Sequence, residues 1–406
     1  MRQPHKDTRR TLPVELWLKV ISEVESREDL ICLSKTCSNF REATKDLVAD
    51  WIAVIRTEED ADQLATRIRR DPRFAQRIRE TRVLLPRGLG YALPIPAQMG
   101  LILDVVDQLP ELLTLRLFVR FPERMTLHFS HEFSAPLELL YTRHLPRLRC
   151  LNAPIFDFIH FYAFLQLNPH IEELQVPHDS LGPGSLTITL PSLRFLTCQF
   201  PMLARLTPST RTSPPDTGPS RLICEALTHL HLTRAADGTF EDVLNTLGQQ
   251  LVSLRMTEPT LAGFLSGEAF PSSLVLLRAP RLRYLELEFF KGLFTRARAW
   301  PPEIQHEGPT DRTHASFPAR TAGEPLTLAW CLSNVSGAPL DSGDLLRFRQ
   351  RCEQRALSVL RSAAPHVGCI LYGHEVLTEK ATLGKRGRRL VKESLTYLRR
   401  DHWRTV

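Results

Sequence analysis

No run of eighteen apolar residues occurs in this 406-residue chain, so no segment is long and apolar enough to cross a bilayer as a helix. Eight cysteines, at 32, 37, 150, 198, 224, 331, 352 and 369, include no CxxC pair. That spacing speaks against a structural zinc site, and the apolar surroundings of most of them suit reduced core residues of an intracellular protein. Residues 1–10 are polar and basic with no apolar centre, so no secretory leader is expected. Catalytic signatures are equally scarce. The one Gly-Lys pair, Gly384-Lys385, lacks the upstream glycine and strand of a phosphate loop, and there is no G-x-S-x-G elbow and no H-E-x-x-H. His229 and His231 would share one face of a strand, but no third metal ligand accompanies them. Asp104 and Asp107 suit the solvated side of a helix. An enzyme is not expected, nor is a cofactor or a metal.

A net charge of +7 suggests a nucleic-acid binder until it is located. Residues 380–406 hold nine Lys or Arg and only two acids, Glu393 and Asp401, which equals the whole excess. The body is therefore neutral, and nucleic acid is not expected as its partner. Within the tail, Lys385-Arg386-Gly387-Arg388-Arg389 is a basic cluster suited to nuclear import or to an anion, so the expected location is cytoplasmic, nuclear or both. Leu390, Val391, Leu395 and Leu398 have helical spacing, so part of this tail is expected to dock.

The first fifty residues read as three short amphipathic helices. Pro13 suits a first helical turn, where its missing N–H has no partner, and Thr11 can cap just before it. Leu16, Val20, Ile21 and Val24 follow as one stripe, and Glu25-Ser26-Arg27 interrupts it. Leu30, Leu33 and Cys37 mark a second helix. Ser38-Asn39 offers a cap, and Phe40, Ala43, Leu47 and Trp51 mark a third helix. A module this small has too little core to be stable alone, so leftover apolar side chains such as Trp17, Ile21 and Leu30 are expected to face a partner. This stretch resembles an F-box through Leu12-Pro13, Glu15-Leu16, Val20-Ile21, Arg27-Glu28-Asp29-Leu30, Leu33, Cys37 and Phe40-Arg41. The resemblance implies a partner, a Skp-type adaptor with its cullin, met by Leu12, Pro13, Leu16, Trp17, Ile21, Leu30 and Leu33. Many F-boxes have tryptophan where this chain has Phe40.

Beyond residue 75 one phrase recurs, a polar or proline lead followed by apolar residues spaced +3 and +2. It appears at Leu112-Leu115-Leu117, Leu148-Leu151, Ile171-Leu174-Val176, Leu193-Leu196-Cys198, Leu227-Leu230-Leu232, Leu251-Leu254-Met256 and Leu282-Leu285-Leu287. Weaker copies are Ile78-Thr81-Val83 and Val367-Ile370-Tyr372. Pro110, Pro146, Pro169, Pro191, Pro280 and Pro365 lead six of the copies. The last two apolar residues of each phrase alternate on a short strand and point inward. One strand cannot bury them alone, so the copies must stack. Helical stripes separate some copies, at Pro96–Leu109, Phe156–Leu167 and Phe240–Leu247, and a further one spans Asp344–Arg361. The arrangement is similar to the F-box and leucine-rich-repeat proteins of fungi, and the expected fold is α/β, a three-helix F-box followed by an irregular leucine-rich-repeat solenoid.

The expected layout is a disordered 1–10, an F-box at 11–56, repeats at 57–376 and a basic tail at 377–406. Insertions at Thr207–Arg221 and Trp300–Pro325 are expected to be disordered. Residues alternating with the inward leucines would line the concave face where repeat proteins bind: Arg116, Glu173, Gln175, Phe195, His229, His231, Arg255, Tyr284, Glu286 and Glu288. Their mixed charge suits a protein target. The resemblance thus implies a substrate-recognition subunit of an SCF-type ubiquitin ligase, with a non-catalytic scaffold carrying a degenerate F-box as the alternative.

Overall fold

The structure is a computed structural model that describes residues 13–85, 95–119, 139–153, 158–176, 187–199, 206–207, 221–233, 239–257, 279–290, 325–333, 342–362, 367–374, 377–383, 390–395 and 402–405. It divides into two compact units, Met1–Ala153 and Pro154–Val406.

The first unit begins with α1 (Val14–Ser22), α2 (Arg27–Ser34) and α3 (Ser38–Asp50). Pro13 stands at the cap position of α1, where its fixed φ is tolerated. Ser26 caps α2 by accepting from the Asp29 N–H at 3.2 Å. The expected Ser38-Asn39 cap is displaced by one residue: Cys37 takes the capping position of α3 and makes no side-chain bond there. The three helices close over Ile21, Leu30 and Trp51, with Val24, Leu33, Phe40, Ala43, Leu47, Val48 and Ile52 packed around them. Of the two cysteines here, Cys32 and Cys37 are both exposed, whereas Cys150, Cys198, Cys224 and Cys352 are buried as core residues.

Trp51 ends the helices and starts the sheet. Strand β1 (Ile52–Ile55) is followed by α4 (Glu58–Arg70), α5 (Pro72–Arg77) and β2 (Glu80–Leu85). Local sequence accounts for α4. Thr57 and Asp60 form a reciprocal capping box, acids fill the first turn, and Arg67, Arg69 and Arg70 occupy the last. Asp50 then accepts from both Arg67 and Arg77, at 3.0 and 2.9 Å. Helix α6 (Ile95–Asp107), β3 (Thr114–Val119) and β4 (Cys150–Asn152) complete the unit. Its strands lie parallel in the order β1-β2-β3-β4.

The second unit holds α7 (Phe158–Leu167), β5 (Glu173–Gln175), β6 (Thr187–Thr189), β7 (Phe195–Gln199), β8 (Leu206–Thr207), β9 (Arg221–Ile223) and β10 (His229–Thr233). These are followed by α8 (Thr239–Leu247), β11 (Ser253–Thr257), β12 (Tyr284–Phe290), β13 (Leu326–Ser333), α9 (Ser342–Ser362), β14 (Val367–His374), β15 (Leu377–Leu383) and β16 (Leu390–Leu395). A large sheet runs β5-β7-β10-β11-β12-β13-β14 in parallel, then β15 and β16 antiparallel, while β6, β9 and β8 form a small separate sheet. The sheet register places Leu174, Leu196, Leu230, Leu254, Leu285, Leu328 and Ile370 in one row across seven strands. All seven are buried. This row is the inward leucine of the sequence phrase.

The lead-in of the phrase has a physical form. The N–H of its first apolar residue donates three residues back: Leu112 to Leu109, Leu148 to Leu145, Ile171 to Asn168, Leu193 to Leu190, Leu227 to Cys224 and Leu282 to Ala279. Each is a tight turn whose second residue is Pro110, Pro146, Pro169, Pro191, Glu225 or Pro280, the position where a fixed φ near −65° fits best. The chain then enters its strand through a second repeated bond pattern. The Glu172 carbonyl accepts from the N–H groups of Arg194 and Phe195, that of Arg194 from Thr228 and His229, and that of Thr228 from Val252 and Ser253. Successive copies therefore share one backbone geometry.

Several expectations are corrected. Residues 390–395 form strand β16 and not a helical stretch, because pairing with β15 along Leu383↔Leu390 to Thr378↔Leu395 satisfies their backbone. The tail expected from 377 onward thus carries two strands of the sheet. The insertion near 205–222 begins and ends in strands, β8 and β9, that pair with each other. Strand β13 follows directly on the insertion near 300–325, and Gly368 opposes its start: a Cβ there would lie 2.8 Å from the Pro325 ring, next to the register shift between Leu326 and Thr327. Residues 1–12, with Thr11 and Leu12, and residues 208–220, 300–324 and the basic cluster 385–389 lie outside the described residues.

Candidate functional site

On the three-helix module, burial sorts the residues expected to meet an adaptor. Ile21 is 2% exposed and Leu30 is fully buried; both hold the module together and form no surface, which corrects the expectation for them. Leu33 is half-buried against the same core. Trp17 is also half-buried, its ring edge-on to Phe40 at 4.9 Å between centroids. Pro13 is exposed. The apolar surface of α1 comes from Leu16 at 47%, Leu18 at 47% and Val20 at 51% exposure. Leu16 and Val20 sit one helical turn apart and so share a flank. Sequence reading named Leu16 but placed Val20 in the packed stripe and passed over Leu18.

In the first unit Arg116 of β3 lies beside Glu80, Nε to Oε1 at 3.2 Å, and Arg82 reaches the same carboxylate at 2.6 Å. In the second unit the other face residues fall into register across the sheet, as alternation requires. Phe195, His229, Ser253 and Tyr284 form one row, and Gln175, Thr197, His231, Arg255, Glu286 and Ala329 form the next. Open solvent does not cover this face at its centre. His229, Tyr284, Glu286 and Glu288 are buried.

Arg255 organises the buried charge. Its Nη2 donates to Glu288 Oε2 at 2.8 Å and its Nε lies 3.4 Å from Glu286 Oε1. Tyr284 donates its hydroxyl to Glu286 Oε2 at 3.1 Å, and Thr257 donates to Glu288 Oε2 at 3.0 Å. Burial raises the Glu286 pKa above the ordinary carboxylate range, with Arg255 opposing the rise. Burial works against the Arg255 charge too, but the two glutamates overcome it and hold the guanidinium protonated. His231, half-buried with Nε2 at 2.8 Å from Thr257 Oγ1, has its pKa pushed well below 6.5 by burial and by Arg255 and Arg404.

The cover is the end of the chain itself. A single 3-10 turn, His402–Arg404, lays Trp403, 1% exposed, onto Tyr284, Ala329 and Leu371, with Phe195 and Cys331 beside them. Arg404 Nη1 reaches Glu173 Oε1 at 2.9 Å, and the His402 ring stands edge-on to Tyr284 at 5.2 Å. Gln175 and His231 keep partial exposure next to this plug. Sequence reading missed Trp403; the one available signal was a large aromatic standing alone in a polar, basic stretch.

Among the described residues no group of His, Cys, Asp and Glu is arranged to hold a metal ion, and no helix is long and apolar enough to cross a membrane. Buried Cys224 has its thiol pushed up to about 12 by desolvation and is therefore no nucleophile near neutral pH. Compared with known proteins, the chain matches no family model and no curated sequence.

Proposed function

We propose that this chain is a substrate-recognition subunit of an SCF-type ubiquitin ligase, in which residues 11–56 are an F-box and the stacked strand phrases are an irregular leucine-rich-repeat solenoid. The single observation that carries the reading is on α1. A small helical module whose core is already filled by Ile21, Leu30 and Trp51 still presents Leu16, Leu18 and Val20 to solvent. Leu16 and Val20 lie one turn apart on one flank of this helix, with Leu18 on the other, and an exposed apolar flank of this kind suits a protein partner. A Skp-type adaptor seated there would bring its cullin, and the sheet of the second unit would hold a protein target. Such a chain performs no bond chemistry of its own, because proximity between target and the ubiquitin-carrying enzyme supplies the catalysis.

A second reading, a non-catalytic scaffold with a degenerate F-box, draws on Trp51 and Ile52. These two residues belong to the helical core and to the start of the sheet at once, and the Trp51 carbonyl accepts from the N–H groups of Arg79 and Glu80. Helices fused to a first strand in this way serve as an end cap of a repeat array. Affinity purification of the full chain from cells, followed by mass spectrometry, separates the two. Recovery of adaptor and cullin supports the ligase subunit, and their absence beside other stable partners supports the scaffold.

A further inference from the structure

We propose that the sheet face holding Trp403 is a peptide-docking site for an aromatic residue followed by arginine, and that the chain's own His402-Trp403-Arg404 occupies it as a tethered stand-in for the target. The inference rests on the reading of this face as the target-binding one, and it names the partner's chemistry: a protein segment with a Trp-Arg pair.

Three observations support it. The segment has almost no structure of its own, since its 3-10 turn is closed by the Thr405 N–H and hydroxyl donating to the His402 carbonyl at 3.0 and 2.9 Å. A single turn of this kind is not stable in isolation. Its position is therefore set by what its side chains meet, as for a bound peptide. Next, the contacts have the anatomy of a recognition site. One buried aromatic fills an apolar seat on Tyr284, Ala329 and Leu371, and the charged residue after it pairs with Glu173 at the margin. The Arg404 guanidinium also lies 5.2 Å from the Trp403 ring centroid, so the pair presents one joined surface. Finally, the seat is made by residues that the repeat geometry places on the face alternating with the core leucines, Phe195, Tyr284 and Ala329 among them, and that face is where a repeat array offers a sheet surface to a partner.

Tethering sets the competition. Six residues separate Leu395 from His402, and a short tether presents its ligand at an effective concentration on the order of millimolar. A free peptide of equal intrinsic affinity is thus excluded from the wild-type chain at micromolar concentrations. A target must bind more tightly than the stand-in, or the stand-in must be removed.

The test uses a fluorescent peptide of residues 399–406, RRDHWRTV, and the full-length chain. Fluorescence anisotropy should show no binding to wild type at micromolar concentrations and saturable binding to Trp403→Ala in that range, an apparent affinity at least tenfold tighter. The same peptide with its Trp replaced by Ala should not bind. A peptide with Glu in place of the arginine that follows its tryptophan, Arg404→Glu, should bind weakly to Trp403→Ala and regain affinity for Trp403→Ala, Glu173→Arg. A second form guards against misfolding of the Trp403 variant: a protease site is placed within 396–401, the intact chain is folded, and it is then cut. Release of the C-terminal fragment on size exclusion, with gain of peptide binding, is the expected result. Folded Trp403→Ala that binds no peptide, or a cut fragment that never leaves and cannot be exchanged for labelled peptide, would overturn the proposal and make Trp403 a fixed core residue. No adaptor is present in either assay, so failure here leaves the ligase reading standing, and an adaptor-binding failure leaves this one standing.

Discussion

Arg255→Met separates a structural role for the buried charges from a recognition role. Arg255 sits 3.4 Å from Glu286 and 2.8 Å from Glu288, and the side chains of all three are 12% exposed or less. At those distances Coulomb's law with an effective dielectric of about 20 gives roughly 5 kcal/mol of attraction per pair. Most of this offsets the cost of taking three charges out of water, so the net value of the cluster is small. Removing only the cation is different, because two carboxylates stay buried, like-charged and adjacent. The expected loss is about 3–5 kcal/mol, the usual result of breaking a buried pair from one side. The triple variant Arg255→Met, Glu286→Gln, Glu288→Gln should recover most of that loss, since each glutamine still accepts from Tyr284 or Thr257 while the charge is gone. Urea denaturation followed by circular dichroism reads both without screening the charges, provided the slope is unchanged and only the midpoint moves. A single variant that loses less than about 1 kcal/mol, or a triple variant no more stable than the single, would refute this reasoning and return these residues to the role of exposed contacts.

Leu30→Ala should destabilise the helical module by about 2–5 kcal/mol, as for any fully buried leucine, and proteolysis confined to residues 13–50 would read it. His231 has a depressed pKa in the folded chain, so its contribution to stability is present above the unfolded value of 6.5 and is lost as pH falls. The unfolding free energy from urea titrations between pH 7 and 5 should fall by at most about 1.4 kcal/mol per pH unit for this one proton, with a flatter profile in His231→Gln. Glu286 runs the opposite way: its raised pKa gives a contribution that is present below the ordinary carboxylate value and is lost as pH rises, so Glu286→Gln should remove that pH dependence and flatten the profile above pH 4. Pro191→Ala should cost about 0.4–1 kcal/mol, chiefly by freeing the unfolded chain, without loss of the Leu193-to-Leu190 turn bond measured by amide exchange.

The strands carrying the repeated phrase were legible because everything that forms them is local. Proline sets the turn, the next leucine closes it, and two alternating apolar residues finish the strand. Strand β13 lacks that lead, since Pro325 runs straight into Leu326, and the Pro- and Gly-rich stretch before it masks the start. Strand β1 was hidden because Trp51 also completes a helical stripe. β15 and β16 alternate weakly, with Glu379, Lys380, Lys392 and Glu393 among their residues; their order comes from pairing with each other and with β14, which no local pattern encodes. On α1, periodicity found the apolar stripe but not its edges. Leu16 and Val20 differ from Trp17 and Ile21 by a fraction of a turn, and only packing against α2 and α3 decides which pair is covered. The plug is the extreme case. Trp403 has no apolar neighbours in sequence, and its burial depends on residues 6.5 Å or less away across the fold, from Phe195 to His231.

The most direct test of the ligase reading is titration of a purified Skp-type adaptor into the full chain and into Leu16→Glu, Val20→Glu. Both substitutions fall on exposed positions of a helix and leave Ile21, Leu30 and Trp51 untouched, so the far-ultraviolet spectrum and melting temperature should not change. The expected calorimetric result is saturable one-to-one binding by the wild-type chain and none by the double variant. Equal binding by both, or no binding by the folded wild type, would contradict the assignment of α1 as an adaptor surface.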